Sequence, residues 1–480
     1  MGAVTEDMLR TYADSDGLGL AALVRKGEVA PIELVETAVV AIEKINPQLN
    51  AVISKLYDMG RAAAKDVDLN APFAGVPYLL KELRTKWKDA PVTGSSSYLR
   101  NVRADSDTEV VKRIKAAGFL LVGKSNAPEN GWSLSTEPKL YGATFNPWRQ
   151  GITAGGSSGG AASAVASGMV PIAEATDAAG SIRVPASCCG VVGLKPTRGR
   201  LTASPAGDVW HGCAYAFCNT RTARDTAAYL DAVAGCLPGD PYTPPIPDGS
   251  WSELAKREPK KLRIAFSVAP PDEGPVDLHV VTAVQRTVSA LGKLGHDVEQ
   301  HDLIFDAPRA WETYARMGSV QTALFFDSME PIVGRPVTAH DVEPVTWATI
   351  SRGRSIPATR HLADVDSVRQ FGRSIAADLA PYDVFITPTL TQKPRPLGYY
   401  DMSETDLDRF NALWFDAAFM FPFNASGQPA ISLPLHWSPE GDPIGVQLVG
   451  RFGDEATLLS LSSVLEKEMP WRDRKPPVCV

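Results

Sequence analysis

Apolar side chains recur at Ile32, Val35, Val39, Ile42 and Ile45 in the stretch PIELVETAVVAIEKINP, the spacing of one helix face. Pro31 suits a first helical turn, which needs no N–H from it, and Pro47 predicts that the helix stops at the residue before it. Further along, FAGVPYLLKEL is a short apolar run that reaches Lys81, and VVKRIKAAGFLLVGKSN predicts a helix, a glycine turn and the buried strand FLLVG. The same rhythm returns at KLRIAFS, DLHVVTAVQRTVSALGKLG and HDVEQ, where Val280, Val284, Val288 and Leu291 share a helical face. Strands alternating with helices predict an α/β fold. Between Pro238 and Lys260 a proline-rich connection shows no periodicity, yet the pattern resumes on both sides, so an external loop within one domain spanning residues 1–480 is expected. No repeat of 20 to 50 residues is visible.

The pattern breaks from Gly151 to Gly168, where GITAGGSSGGAASAVASG is nearly all Gly, Ser and Ala. Side chains this small cannot build a core by volume, so backbones are expected to approach closely here. Alanines favour helix after the glycines, and a helix and a strand fit between Ser157 and Ser181. The two small-residue loops are thereby able to return to one place.

Composition narrows the partners. With 44% hydrophobic and 21% charged residues the chain is an ordinary globular protein. A net charge of −7, with both signs interspersed, argues against nucleic acid or an anionic membrane as partner. The acidic start lacks an apolar signal region, no window offers eighteen uncharged apolar residues, and six cysteines are too sparse for a disulfide scaffold. A cytoplasmic protein, monomeric or homodimeric, is expected.

Chemistry is harder to place. Gly155-Gly156-Ser157-Ser158-Gly159 is a literal G-x-S-x-G, but the nucleophile elbow of that motif needs an apolar strand before the serine, and RQGITAGG is polar and glycine-rich. The phosphate-binding G-x-x-x-x-G-K-[ST] lysine is absent. The seven histidines show no metal-binding spacing, so neither a metal nor another cofactor is expected. Cys188 and Cys189 have no electropositive neighbour in sequence and read as buried structural thiols.

The run GGSSGGAASAVASGMVPIAEATDAAGSIRVPASCCGVVGLKPTRGR resembles the signature of the amidase signature hydrolases, and GVPYLLKE resembles that family's lysine motif. The resemblance continues through YGATFNPW, RTARDTAAYLDAVAG, YDVFITPT and PFNASGQPAISLP, thinning between about 240 and 380; the core signature spans about 75–235. Cyclic-amide and nylon-oligomer hydrolases are the branch it most resembles, because they too read DAAGS where most relatives place two glycines before the serine. The resemblance implies a large mixed, twisted β-sheet covered on both faces by helices. It also implies a Ser-Ser-Lys triad of Ser181 as nucleophile, Ser157 as bridge after a cis peptide from Gly156, and Lys81 as base.

That triad makes chemical sense, because a serine hydroxyl needs a neighbouring base and burial neutralises a lysine by disfavouring its ammonium. Backbone N–H groups of Ala178, Ala179, Gly180 and Ser181 are expected to face the oxyanion. Asp177 and Arg183 are expected to form an ion pair that holds the loop, and Ser158 to bond within its own loop. Glu82 stands where the family usually has aspartate. Gly131 and Trp132 are the candidate substrate contacts, and Trp132 replaces a polar residue of the nylon-oligomer branch. An aromatic wall suits aryl groups, and the region about 300–380 is expected to shape the entrance. The resemblance therefore implies hydrolysis of small aryl, linear or cyclic amides, with carbamates or esters as the nearest alternative substrates. A subunit feeding ammonia to a partner, like the family's amidotransferase members, is the alternative of a different class.

Overall fold

Tyr78 and Leu80 belong to one hydrophobic cluster and Leu79 to another, so the run that ends at Lys81 forms a strand buried on both faces. Each such side chain contributes about 1.5–3 kcal/mol by leaving water. The same alternation places Phe119 and Leu121 in the first cluster, and Leu120 and Val122 in the second.

The computed structural model describes residues 4–480. Its strands are β1 (Val52–Lys55), β2 (Pro77–Lys81), β3 (Leu120–Ser125), β4 (Ile172–Asp177), β5 (Val192–Lys195), β6 (Tyr215–Thr220), β7 (Arg263–Phe266), β8 (Asp297–Gln300), β9 (Val384–Pro388), β10 (Ala430–Trp437) and β11 (Pro443–Gly450). They pair into one mixed sheet in the order β1-β3-β2-β4-β6-β5-β10-β11-β9-β7-β8. β2 runs parallel to both β3 and β4, whereas β4–β6, β5–β6, β5–β10 and β10–β11 are antiparallel. On one face the helices Ala223–Val233, Leu278–Lys293 and Glu455–Glu468 fill the larger cluster; on the other, Gly159–Ala166 and Arg183–Cys189 fill the second. The expected α/β architecture of a mixed sheet between helical layers is present.

Pro47 does not end its helix. The helix runs Pro31–Leu49, because the lost Pro47 N–H falls in the last turn and the end is closed elsewhere: Asn50 adopts the left-handed conformation and its N–H bonds Asn46 O at 2.8 Å. The Asn46 side chain then accepts the Ala51 and Val52 N–H groups, which turns the chain into β1. The proline-rich connection carries one short helix, Trp251–Leu254, with Asp231 accepting the Trp251 and Ser252 N–H groups and the Trp251 ring buried.

In the region of weak resemblance three helices, Ala307–Val333, Pro344–Ser355 and Ala358–Asp378, pack together beside the sheet. No helix among the described residues is long and apolar enough to cross a membrane.

Candidate active site

β2 and β4 are parallel, so their carboxyl ends lie at one edge of the sheet; Lys81 ends the first and Asp177 the second. Loops beyond such ends are where open α/β sheets bind ligands. The helix Gly159–Ala166 feeds β4, and Ser157 lies just before that helix. Small residues make this possible. A Cβ on Gly156 would overlap Ser133 O, and one on Gly160 would overlap Asn126 N. The Gly156–Ser157 peptide is cis.

Lys81 is fully buried, and its Nζ lies 2.8 Å from Ser157 Oγ and 2.8 Å from Thr176 Oγ1. Burial lowers its pKa to about 7, against the opposing fields of Glu174 and Asp177. Glu174 lies on β4, where its Oε2 accepts the Lys81 backbone N–H at 2.9 Å. Burial pushes its carboxyl up to about 7, although the Thr85 hydroxyl, the Lys81 N–H, and the charges of Lys124 and Lys81 oppose this. Beside them Glu82 pairs with Lys124 at 3.2 Å, both side chains fully buried, and accepts the Thr93 N–H at 2.7 Å. The longer acid in place of aspartate thus ties β3 to the loop after β2.

Neutral lysine is the form able to accept a proton, so amide turnover should rise with pH through a midpoint near 7. Glu174→Gln removes a negative charge that favours the ammonium, so the midpoint should move to lower pH; a kcat/KM profile over pH 5–9 measures this.

Ser181 follows β4 in a turn held from below. Arg183 donates to both Asp177 oxygens at 2.9 Å, and both side chains are fully buried. The same guanidinium reaches Asn424 Oδ1 at 2.6 Å and Gln447 Oε1 at 2.7 Å. Burial alone would raise the Asp177 pKa, but the Arg183 charge, the Asn424 amide and the Gly180 N–H hold it well below the usual carboxylate range.

That last bond corrects one expectation. The Gly180 N–H donates to Asp177 Oδ1 at 2.7 Å, so it is not directed at an oxyanion. Among the described residues, the N–H groups of Ala178, Ala179 and Ser181 have no protein acceptor. Ser158 also differs from expectation: it bridges to the backbone of Thr176, as acceptor of the N–H at 3.3 Å and donor to the carbonyl at 3.4 Å, rather than bonding within its own loop.

Ser157, Ser181, Ala178, Ala179, Gly131 and Trp132 all line one cavity of about 640 Å³. Gly131 abuts the bridge, since a Cβ there would lie 3.3 Å from Ser157 Oγ. Trp132 is both wall and core: it is buried, donates from Nε1 to Thr322 Oγ1 at 2.9 Å, and packs on Trp210 with ring centroids 5.5 Å apart. Trp311, Tyr314 and Phe325 from the helix Ala307–Val333 extend the aromatic wall. Tyr314 also donates its hydroxyl to Ala178 O, which ties this helix to the turn that carries Ser181. Cys188 and Cys189 are buried, and burial pushes both thiols up, away from thiolate. No three His, Cys, Asp or Glu side chains among the described residues gather into a metal-binding group.

Thr176, Glu174, Tyr314 and Asn424 escaped the sequence reading. A signal existed for the first two: in IAEATD, polar residues two apart interrupt an otherwise apolar strand, which puts both on one face.

A family model described as amidase matches residues 33–459. The chain belongs to the amidase signature family. It is similar to a 6-aminohexanoate-cyclic-dimer hydrolase of Paenarthrobacter ureafaciens, at 38% identity over 475 residues and 96% of each chain. It is also 31% identical to an acylamidase of Rhodococcus erythropolis, over 95% of this chain and 96% of that one. A solved structure of 6-aminohexanoate cyclic dimer hydrolase complexed with substrate matches with a TM-score of 0.92 at 36% identity, covering 98% of this chain and 100% of the other. As a member of the amidase signature family the chain is a hydrolase of carbon–nitrogen amide bonds other than peptide bonds.

Proposed function

We propose that this amidase hydrolyses small aryl, linear or cyclic amides through an ester of Ser181, with Lys81 as base and Ser157 as the relay between them. The observation that carries this reading is the 2.8 Å contact between Ser157 Oγ and a fully buried Lys81 Nζ whose ammonium burial disfavours. As Ser181 Oγ attacks the carbonyl carbon, its proton passes to Ser157 and the Ser157 proton to Lys81. Charge gathers on the carbonyl oxygen, where the unpaired N–H groups of Ala178, Ala179 and Ser181 can receive it. The proton then returns through Ser157 to the leaving nitrogen as the C–N bond breaks, which an amine requires because its anion is a poor leaving group. Water attacks the remaining ester by the same relay, releasing the acid and restoring Ser181.

The aromatic lining favours planar, apolar substituents on the substrate. Anilides and aryl carbamates fit that wall, and the second class shares the same attack on a carbonyl. Substrate-contact roles for Gly131 and Trp132 follow from their place in the lining.

A panel of anilides, aliphatic amides, cyclic amides, aryl carbamates and esters, each followed by product mass, tests the substrate class. A slow substrate should leave an added acyl mass on the peptide containing Ser181 in rapid-quench digests. An acyl group trapped on another residue would overturn the assignment.

A further inference from the structure

Among the described residues, Arg84 is the only lysine or arginine side chain in the wall of the cavity that holds Ser157 and Ser181. Three buried cations near the sheet have acidic partners, Arg183 with Asp177, Arg200 with Glu455 and Lys124 with Glu82, whereas Lys81 and Lys195 bond only neutral oxygens. Arg84 has no acidic partner within 4.0 Å among the described residues; its Nη2 donates to Asn130 Oδ1 at 3.0 Å, and the guanidinium lies 4.2 Å from the Phe325 ring centroid. Asn130 is itself held, donating to Thr322 Oγ1 at 3.3 Å, and is followed in the chain by Gly131, which abuts Ser157. The guanidinium is thus fixed on two sides before any ligand arrives, with most of its five N–H donors unspent.

Partial removal of a cation from water without a counter-charge disfavours its charged form, and the half-buried Arg84 has its basicity lowered to about 10, with no nearby carboxylate to oppose it. Arg84 still carries its charge at neutral pH. A charge retained in a reaction cavity, unpaired within the protein and preorganised, suits a planar anion that arrives with the substrate.

We propose that Arg84 is a specificity residue that receives an anionic group of the substrate, so that amides bearing a carboxylate away from the scissile bond are preferred over neutral analogues of the same shape. This rests on the amide-hydrolase reading above.

Two substrate pairs test it: 4-acetamidobenzoate against 4-acetamidobenzamide, read by acetate release, and succinanilate against N-phenylbutanamide, read by aniline release. The first pair places the charge on the amine side and the second on the acyl side. In at least one pair the anionic member should have the higher kcat/KM by roughly tenfold or more, the worth of one charge-assisted bond. Arg84→Met should collapse that ratio at least tenfold, and Arg84→Lys should restore part of it. Ratios unchanged by Arg84→Met in both pairs overturn the proposal while leaving the hydrolase reading intact. If the wild-type chain turns over none of the four, the anilide reading fails instead. Arg84 is then judged by calorimetry of 4-acetamidobenzoate and benzoate with the Ser181→Ala protein. Binding that Arg84→Met weakens at least tenfold supports the proposal, and binding that is absent or equal in the two proteins overturns it.

Discussion

Ser181→Ala should lose amide turnover by roughly 10⁴-fold or more while remaining folded, and Lys81→Ala should come close to it. Ser181 is small, lies in the cavity wall, and contributes little to packing, so removal of its Oγ leaves the turn's anchors untouched. In the proposed relay Lys81 acts on the same proton through Ser157 Oγ, 2.8 Å away, so the two losses should not add in the double variant. Initial rates on an anilide, with melting curves as a control for folding, provide the measurement. Turnover above a tenth of wild type in either variant would remove that residue from the mechanism. Lys81→Ala should also lose the rise in activity near pH 7, because the group whose deprotonation limits the rate is gone.

Arg183→Ala should destabilise the fold by about 3–5 kcal/mol, the cost of leaving a buried carboxylate without its partner. Asp177 would retain the Asn424 amide and the Gly180 N–H, but not the guanidinium that contacts both of its oxygens. The Asn424 and Gln447 side-chain oxygens would lose a donor at the same time. Denaturant melts give the magnitude, and a loss below 1 kcal/mol would mean that the ion pair does not hold the turn. Asp177→Ala should be comparably severe, because it strands the cation in the same buried place.

Much of this was legible in the chain, and the parts that were not have physical reasons. A continuous apolar run identified the strand before Ser125, which is buried on both faces, and helical spacing identified the helix before Gly295, which buries one face and so obeys a repeat. The end of the first long helix was misplaced because Pro47 removes a hydrogen bond that the last turn can spare, a matter decided by the Asn46 and Asn50 side chains. Ser157, Ser181 and Lys81 stood out through motif resemblance; their approach to one another depends on β2 and β4 being parallel neighbours, which no local pattern states. The Gly180 N–H was assigned to the wrong partner because an N–H in a tight turn has two candidate acceptors, and only the placement of the Asp177 carboxylate decides between them. Tyr314 and Asn424 reach the turn that carries Ser181 across 136 and 247 residues, distances at which composition and spacing carry no information.

The Arg183 anchor has a consequence for the order in which the molecule is made. Its guanidinium draws on Asn424 and Gln447, the latter in a strand near the end of the chain, while the serine it steadies emerges from the ribosome some 260 residues earlier. Until those residues emerge, a growing chain holds the turn that carries Ser181 by the local Asp177 contacts. A product truncated before Gln447 should therefore lack part of the anchor beneath Ser181, even with Lys81, Ser157 and Ser181 all present.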